Sequence, residues 1–128
     1  RFTESAGYEA TRELLERVPR PGAVFAANDC MAVGALSAFR EAGLRVPEDV
    51  VVTGFDDIAM ASYLTPGLTT VRVEAYRLGE RAVQLLFGSM QGGDDAVVLH
   101  EIMPTSLVVR ESSGAAGGNG QRAHAPPG

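Results

Sequence analysis

Two short, unbroken apolar runs, each ending in a polar pair, constrain this chain most. Ala23-Val24-Phe25-Ala26 leads into Asn28-Asp29, and Val50-Val51-Val52-Thr53 leads through Gly54-Phe55 into Asp56-Asp57. A strand with one wet face alternates polar and apolar residues, whereas a continuous run reads as a strand buried on both sides. The segments between and around these runs carry helical spacing. Thr3 or Ser5 can cap a helix whose stripe is Thr11, Leu14, Leu15 and Val18, stopped by Pro19–Gly22. Asn28 or Asp29 can cap a second helix over Cys30–Ala42, ended by Gly43 in the left-handed conformation with Pro47 beyond it. A short helix is expected at Ala59–Leu64, a strand at Leu68–Val71, an amphipathic helix at Arg77–Phe87, and strands near Val97–Ile102 and Leu107–Arg110. Strands that alternate with helices and read as continuous runs indicate an α/β fold, a doubly wound and mostly parallel sheet.

The chain has 128 residues, 45% of them hydrophobic and 21% charged, which is the profile of one globular domain. No run approaches the ~20 apolar residues of a membrane span. The first ten residues lack the basic-then-apolar pattern of an export leader. The chain starts on Arg1 rather than Met, which marks it as trimmed or as a piece of something longer. From Gly114 to Gly128 the only side chains that are apolar are Ala and Pro, so nothing offsets the entropy of ordering that segment. Residues 1–113 are therefore expected to fold and 114–128 to form a disordered tail.

All eleven basic residues are Arg, against sixteen acids, for a net charge of −5. Phosphate backbones are bound by clustered cations, so this segment is not expected to bind nucleic acid. One cysteine and two histidines, widely spaced, make neither an internal disulfide nor a metal set, and no cofactor is expected. Cys30 opens a helix, where a thiol pKa can fall, but a small buried hydrophobe is the better reading. His100 has no partner in the pattern and is expected at the surface, while Met31, Met60, Met90 and Met103 show no stripe and are expected to fill packing gaps.

In open α/β sheets, ligands bind beyond the carboxyl ends of the strands. Asn28-Asp29 and Asp56-Asp57 would both stand there, although turn and cap chemistry alone also places Asn and Asp after strands. Used as general acid and base, Asp29 and Asp56 would make a hydrolase. No nucleophile elbow, phosphate loop or strand-end His accompanies them, so an enzyme is not expected. A phosphoacceptor domain would require a Lys, and the chain has none.

Six blocks occur in order: Thr3–Leu15 with Ser5 and Gly7, Phe25–Asp29 running into Met31–Ala35, Gly43–Val50, Gly54–Asp57, Pro66–Val71 and Leu107–Ser112. Together they resemble the C-terminal part of the effector-binding module of lactose-repressor (LacI/GalR) type transcription regulators. The resemblance implies the C-terminal subdomain of a type I fold like that of periplasmic binding proteins, in which two α/β lobes flank a ligand cleft. It also implies a cytoplasmic, homodimeric parent that binds a small sugar-like effector and touches DNA only through an N-terminal helix-turn-helix not contained in these residues. Exported sugar-binding proteins of transporters share the fold and are the alternative, though the Pro66–Val71 and Leu107–Ser112 blocks look more like the repressor branch.

Carried over by position, the resemblance assigns ligand contact to Phe2, Asn28 and Asp56. An aromatic face suits sugar C–H groups, an amide both donates and accepts, and a carboxylate accepts from two hydroxyls. A hydrophobic staple before the first helix would account for Phe2 equally simply. Asp57, one residue on, is expected to point away and cap the next turn. Ala75 falls where some relatives place another ligand-contacting aromatic. Met31 to Phe39 has Ser37 as its one polar side chain, more apolar circumference than a single sheet face covers. That helix is expected to form a dimer surface, unless neighbouring elements cover it.

Overall fold

The computed structural model describes residues 1–91 and 100–115. The chain divides into two compact units, one made of Arg1–Arg72 with the segment from Ser106 onward, the other of Val73–Thr105. In the first, α1 (Glu4–Arg17) is followed by β1 (Ala23–Phe25), α2 (Asp29–Glu41) and β2 (Val51–Asp56). A 3-10 turn (Ala59–Ser62), β3 (Thr69–Arg72), β4 (Ser106–Val108) and a second 3-10 turn (Glu111–Ser113) complete it. The strands lie in chain order in a four-stranded sheet. β1 and β2 pair in parallel with Phe25 opposite Thr53, β2 and β3 in parallel with Asp56 opposite Arg72, and β4 runs antiparallel to β3. This is the mostly parallel open α/β sheet that the apolar runs imply.

Local chemistry sets the helix ends. Thr3 caps α1, its hydroxyl accepting from the Ala6 amide at 3.3 Å. Gly43, at φ 73°, closes α2, and the Leu44 amide reaches back to the Phe39 carbonyl at 2.9 Å. The stripe expected on α1 is only partly the buried one: Gly7 and Thr11 are buried, Leu14 and Leu15 half-buried, and Val18 is exposed because it lies past the last turn as the C-cap. On α2 the buried stripe is Ala32, Ala35 and Phe39, packed with Val50, Val52 and Leu68 of the sheet side.

Two glycines set the distance between the helices. A Cβ on Gly34 would fall on the Glu4 carbonyl oxygen and 2.6 Å from the Tyr8 amide, and one on Gly7 would meet the Met31 backbone. The backbones of α1 and α2 therefore touch directly. Thr11 stays in this seam by donating its hydroxyl to the Gly7 carbonyl at 2.8 Å.

Elsewhere the structure departs from the sequence pattern. The helix expected at Ala59–Leu64 is a single 3-10 turn over Ala59–Ser62, held by Leu68 donating to the Ala61 carbonyl at 2.9 Å. Gly114, expected to begin the tail, sits at φ 75° and closes the last 3-10 turn. The rest of the expected tail, from residue 116, lies outside the described residues, as does most of the strand expected near Val97–Ile102; His100 to Ile102 are not in a strand, and His100 is exposed. Met31 packs against the core as expected, whereas Met60 is exposed.

The segment after β4 is stitched to the sheet by Ser112, which is fully buried. Its hydroxyl donates to the Val52 carbonyl at 2.6 Å and accepts from the Thr69 amide at 2.9 Å. In the second unit α3 (Ala75–Gln91) is longer than the expected Arg77–Phe87, and Arg81 pairs with Glu101 at 2.8 Å. Among the described residues no helix is long and apolar enough to cross a membrane.

Substituting Gly34→Ala sets a methyl group against a backbone that cannot rotate away. The expected cost is about 2–3 kcal/mol, read as a lowered urea midpoint with an unchanged slope. An unchanged midpoint would show that α1 and α2 are farther apart than described.

Candidate functional site

Because β1 and β2 are adjacent and in parallel register at Phe25 and Thr53, Asn28 and Asp56 each lie three residues past a paired position. Both leave the carboxyl ends of neighbouring strands, where the sequence pattern puts them. Asn28 is the α2 cap: its Oδ1 accepts from the Met31 amide at 2.9 Å. Its Nδ2 donates to the Phe2 carbonyl at 3.3 Å, which ties the chain entering α1 to the head of α2. The cap and this bond leave one Nδ2 hydrogen and a second Oδ1 lone pair for anything else.

The ring of Phe2 is 71% exposed. A hydrophobic staple would need a side chain at the fourth helical position, which is Gly7. The staple therefore does not form, and the ring stands free beside Asn28's partner carbonyl.

Asp56 ends β2 at φ 111° and Asp57 follows at φ 54°, two consecutive non-glycine residues in positive φ. Such backbone costs about 1–3 kcal/mol per residue and persists where surrounding contacts over-determine it. The Asp56 carboxyl is raised above the ordinary carboxylate value, first by loss of hydration and then by the negative charge of Asp29. Asp56 is nonetheless open to solvent as a residue, so the withdrawal of water is partial.

Asp57 does not cap the next turn. Its side chain is 6% exposed and accepts from Arg110 Nη2 and from Arg72 Nε, both at 2.7 Å. Arg110 also donates through Nη1 to the Leu68 carbonyl at 2.7 Å. Burial pushes the Asp57 carboxyl up, but the hydrogen bonds from Arg110 and Arg72 outweigh it and hold the pKa below the usual range. The chain pattern hid this, because both arginines come from distant segments.

Asp29 likewise is not the cap. It is fully buried, with Oδ1 accepting from the Thr70 hydroxyl at 2.6 Å and Oδ2 from the Ile58 amide at 3.0 Å. Gly54 makes room for it, since a Cβ there would fall on Oδ1. Sequence reasoning missed this role; the adjacent Thr69-Thr70 pair opening β3 and Gly54 inside β2 were the available signals.

Cys30 is half-buried, and its thiol is pushed up by burial first and then by Glu4, which places it with unreactive cysteines. Among the described residues no group of three His, Cys, Asp or Glu side chains is placed to hold a metal. Away from the strand ends, a groove of about 1100 Å³ runs along α2 between Val33, Leu36 and Leu44 on one side and Tyr63, Leu64 and Pro66 on the other. The close approach of α1 thus covers one side of α2 and leaves Val33 and Leu36 half-exposed.

Comparison with known proteins follows this geometry. A model of the periplasmic binding protein-like domain matches residues 1–113. A lactose operon repressor of Rhizobium radiobacter is 42% identical over 107 residues, covering 84% of this chain and 93% of that sequence. The HTH-type transcriptional repressor PurR of Mannheimia succiniciproducens is 44% identical over 111 residues, covering 87% of this chain and 33% of the repressor. The solved complex of the transcriptional regulator CelR with cellobiose superposes with a TM-score of 0.81 at 40% identity, over 87% of this chain and 34% of that one. The chain thus spans nearly all of the first relative and about a third of the other two.

Asp57 has a folded pKa below its unfolded value, so its ion pairs contribute stability that is present above the ordinary carboxylate pKa of about 3.9 and lost as pH falls through the folded value. Asp57→Asn should cost about 2–4 kcal/mol at pH 7, mostly through Arg110, which is the less exposed partner. Urea melts should show the gap between wild type and variant closing as pH falls below 4; a gap that holds constant to pH 2 would refute the ion-pair account.

Proposed function

Because the chain belongs to the lactose-repressor (LacI/GalR) family as part of its periplasmic binding protein-like domain, we propose that it is the effector-sensing and dimerising portion of a transcription regulator. The effector is a small, neutral, sugar-like molecule, and the regulator is cytoplasmic and non-enzymatic. DNA binding belongs to an N-terminal domain of the parent, consistent with a segment whose net charge is −5. The observation that carries this reading is the convergence of Asn28 and Asp56 at adjacent parallel strand ends, with Phe2 bound to Asn28 through its carbonyl. The CelR complex holds a sugar, and this chain is similar to that regulator over 87% of its length.

In this arrangement the Asp56 carboxylate accepts hydrogen bonds from sugar hydroxyls, Asn28 uses the N–H left free by its cap bonds, and the exposed Phe2 ring covers apolar C–H groups. A carboxylate raised above its ordinary pKa is a more basic and hence stronger acceptor. A second lobe closes the cleft in the parent. The half-exposed side of α2 at Val33 and Leu36, with the groove beside it, serves as the surface for a second copy.

Calorimetry on the two-lobed parent, titrated with cellobiose and a panel of other sugars, tests the site. Asp56→Ala should weaken a bound sugar ~10- to 150-fold, the loss of a charged acceptor, and Asn28→Ala about 2- to 13-fold. Asn28→Ala should also lower stability by about 1 kcal/mol, because the α2 cap goes with it. Exposed Glu13 is the control, since Asp57 is committed to its arginines. A cognate sugar bound equally well by wild type and Asp56→Ala would sink the assignment.

The association state is the second test. Val33→Asp places a charge on the half-exposed side of α2 and should give monomers of the parent in analytical ultracentrifugation. Dimers of undiminished affinity would move the interface elsewhere.

A further inference from the structure

Two consecutive backbone amides beyond β2 converge on one buried pair of side chains. The Asp57 amide donates to Thr70 Oγ1 at 3.4 Å, the Ile58 amide donates to Asp29 Oδ2 at 3.0 Å, and the Thr70 hydroxyl in turn donates to Asp29 Oδ1 at 2.6 Å. Immediately before these anchors, as the last residue of β2, stands Asp56 at φ 111°. On the other side Asp57 is gripped by Arg72 and Arg110. The turn is therefore held at both ends, and what remains unheld is the Asp56 carboxylate.

From this we infer that Asp29, although fully buried and out of reach of any ligand, is the positioning residue of the site: through Ile58 and Thr70 it holds the strand-end turn in positive φ and so presents the Asp56 carboxylate beside the head of α2. The inference rests on the effector reading above and names the device that shapes its central acceptor. Buried carboxylates are expensive, but here both oxygens accept, from Thr70 and from Ile58; an amide has one acceptor oxygen and would have to reverse the bond to Thr70. Asp29 stands in the first turn of α2, at the end of the helix that carries positive partial charge. Its effect falls on Asp56, whose carboxyl it raises in addition to the loss of hydration.

The charged and titratable groups around Asp56 within this unit are Asp29 and Cys30 on α2, Glu4 on α1 beside Cys30, and Asp57 with Arg72 and Arg110 on the sheet side. Of these, the negative charge of Asp29 adds to the loss of hydration in raising the Asp56 carboxyl, whereas Asp57 is paired with its arginines.

The test is a carbon-13 carboxyl NMR titration of the 128-residue chain, combined with amide exchange. Asp29→Asn can turn its amide oxygen to Ile58 and its NH₂ to Thr70, so it should keep the fold and the slow exchange of the Ile58 amide. The Asp56 titration midpoint should nonetheless move lower, because a nearby negative charge is gone. Asp29→Ala should speed exchange at Ile58 at least ~10-fold, as expected of a lost hydrogen bond and its unsatisfied donor. If Asp29→Ala does not fold, Thr70→Val removes the other acceptor and should speed exchange at the Asp57 amide while Ile58 stays protected. An Asp56 midpoint unmoved in Asp29→Asn, or turn amides that exchange at wild-type rates in Asp29→Ala and Thr70→Val, overturns the inference. Cellobiose calorimetry separates it from the functional reading: a parent that binds cellobiose with no dependence on Asp56, while the midpoint still shifts, defeats the effector site and leaves the positioning role standing.

Discussion

The buried carboxylate of Asp29 joins three elements that are remote in sequence. It sits in the first turn of α2 and accepts hydrogen bonds from the Thr70 hydroxyl on β3 and from the Ile58 amide in the turn after β2. A carboxylate without water has four lone-pair sites and a charge to satisfy, so its partners cannot drift without large cost. Gly54 in β2 is the matching vacancy that lets the helix head come so close to the strand. The order of the sheet at its carboxyl edge follows from these contacts.

On that foundation the charged cluster around Asp57 and the glycine seam between the helices complete the site from opposite sides. Arg110 arrives from the segment after β4, and Ser112 two residues later bonds Val52 and Thr69. The last described stretch of the chain thus supports the edge where Asp56 is displayed. From the other side, Gly7 and Gly34 bring α1 against α2, so that the residues preceding α1 meet the cap residue of α2, and Phe2 is bound to Asn28. Residues 1–2 and 110–113 are near the ends of the described fold; Phe2 is tied to Asn28 beyond the carboxyl end of β1, whereas Ser112 bonds the start of β2 and β3 and the Arg110 side chain reaches across to Asp57.

This division of labour separates structure from recognition. Asp29 and Asp57 are consumed by internal partners, whereas Asp56 and the Phe2 ring are left open and Asn28 keeps part of its amide. Under the proposed effector reading, an edge of this kind can change ligand through the open side chains while the internal ones keep the geometry. In a family whose members include a lactose operon repressor and a cellobiose-bound regulator, such separation lets one scaffold serve different effectors.

Much of the molecule was legible in the sequence because its signals are local. Continuous apolar runs gave β1 and β2, helical spacing with a capping Asn and a left-handed Gly bounded α2, and strand-end polar residues marked where Asn28 and Asp56 would stand. These depend on neighbours within a turn or a strand, and a linear pattern records them. The fates of Asp29 and Asp57 depend on Thr70, Arg72 and Arg110, which lie 15 to 53 residues away. No cap or turn rule distinguishes a carboxylate that bonds its own helix from one that crosses to another strand. For Phe2 the structure removes the staple reading, since the fourth helical position is Gly7 and the side chain is exposed. The sequence by itself determined the class of fold, the main elements and the edge at which the polar pairs stand; only the tertiary structure decided which of these four acidic and amide groups are held by internal partners, because that depends on which buried hydrogen-bond partners the packing brings within reach.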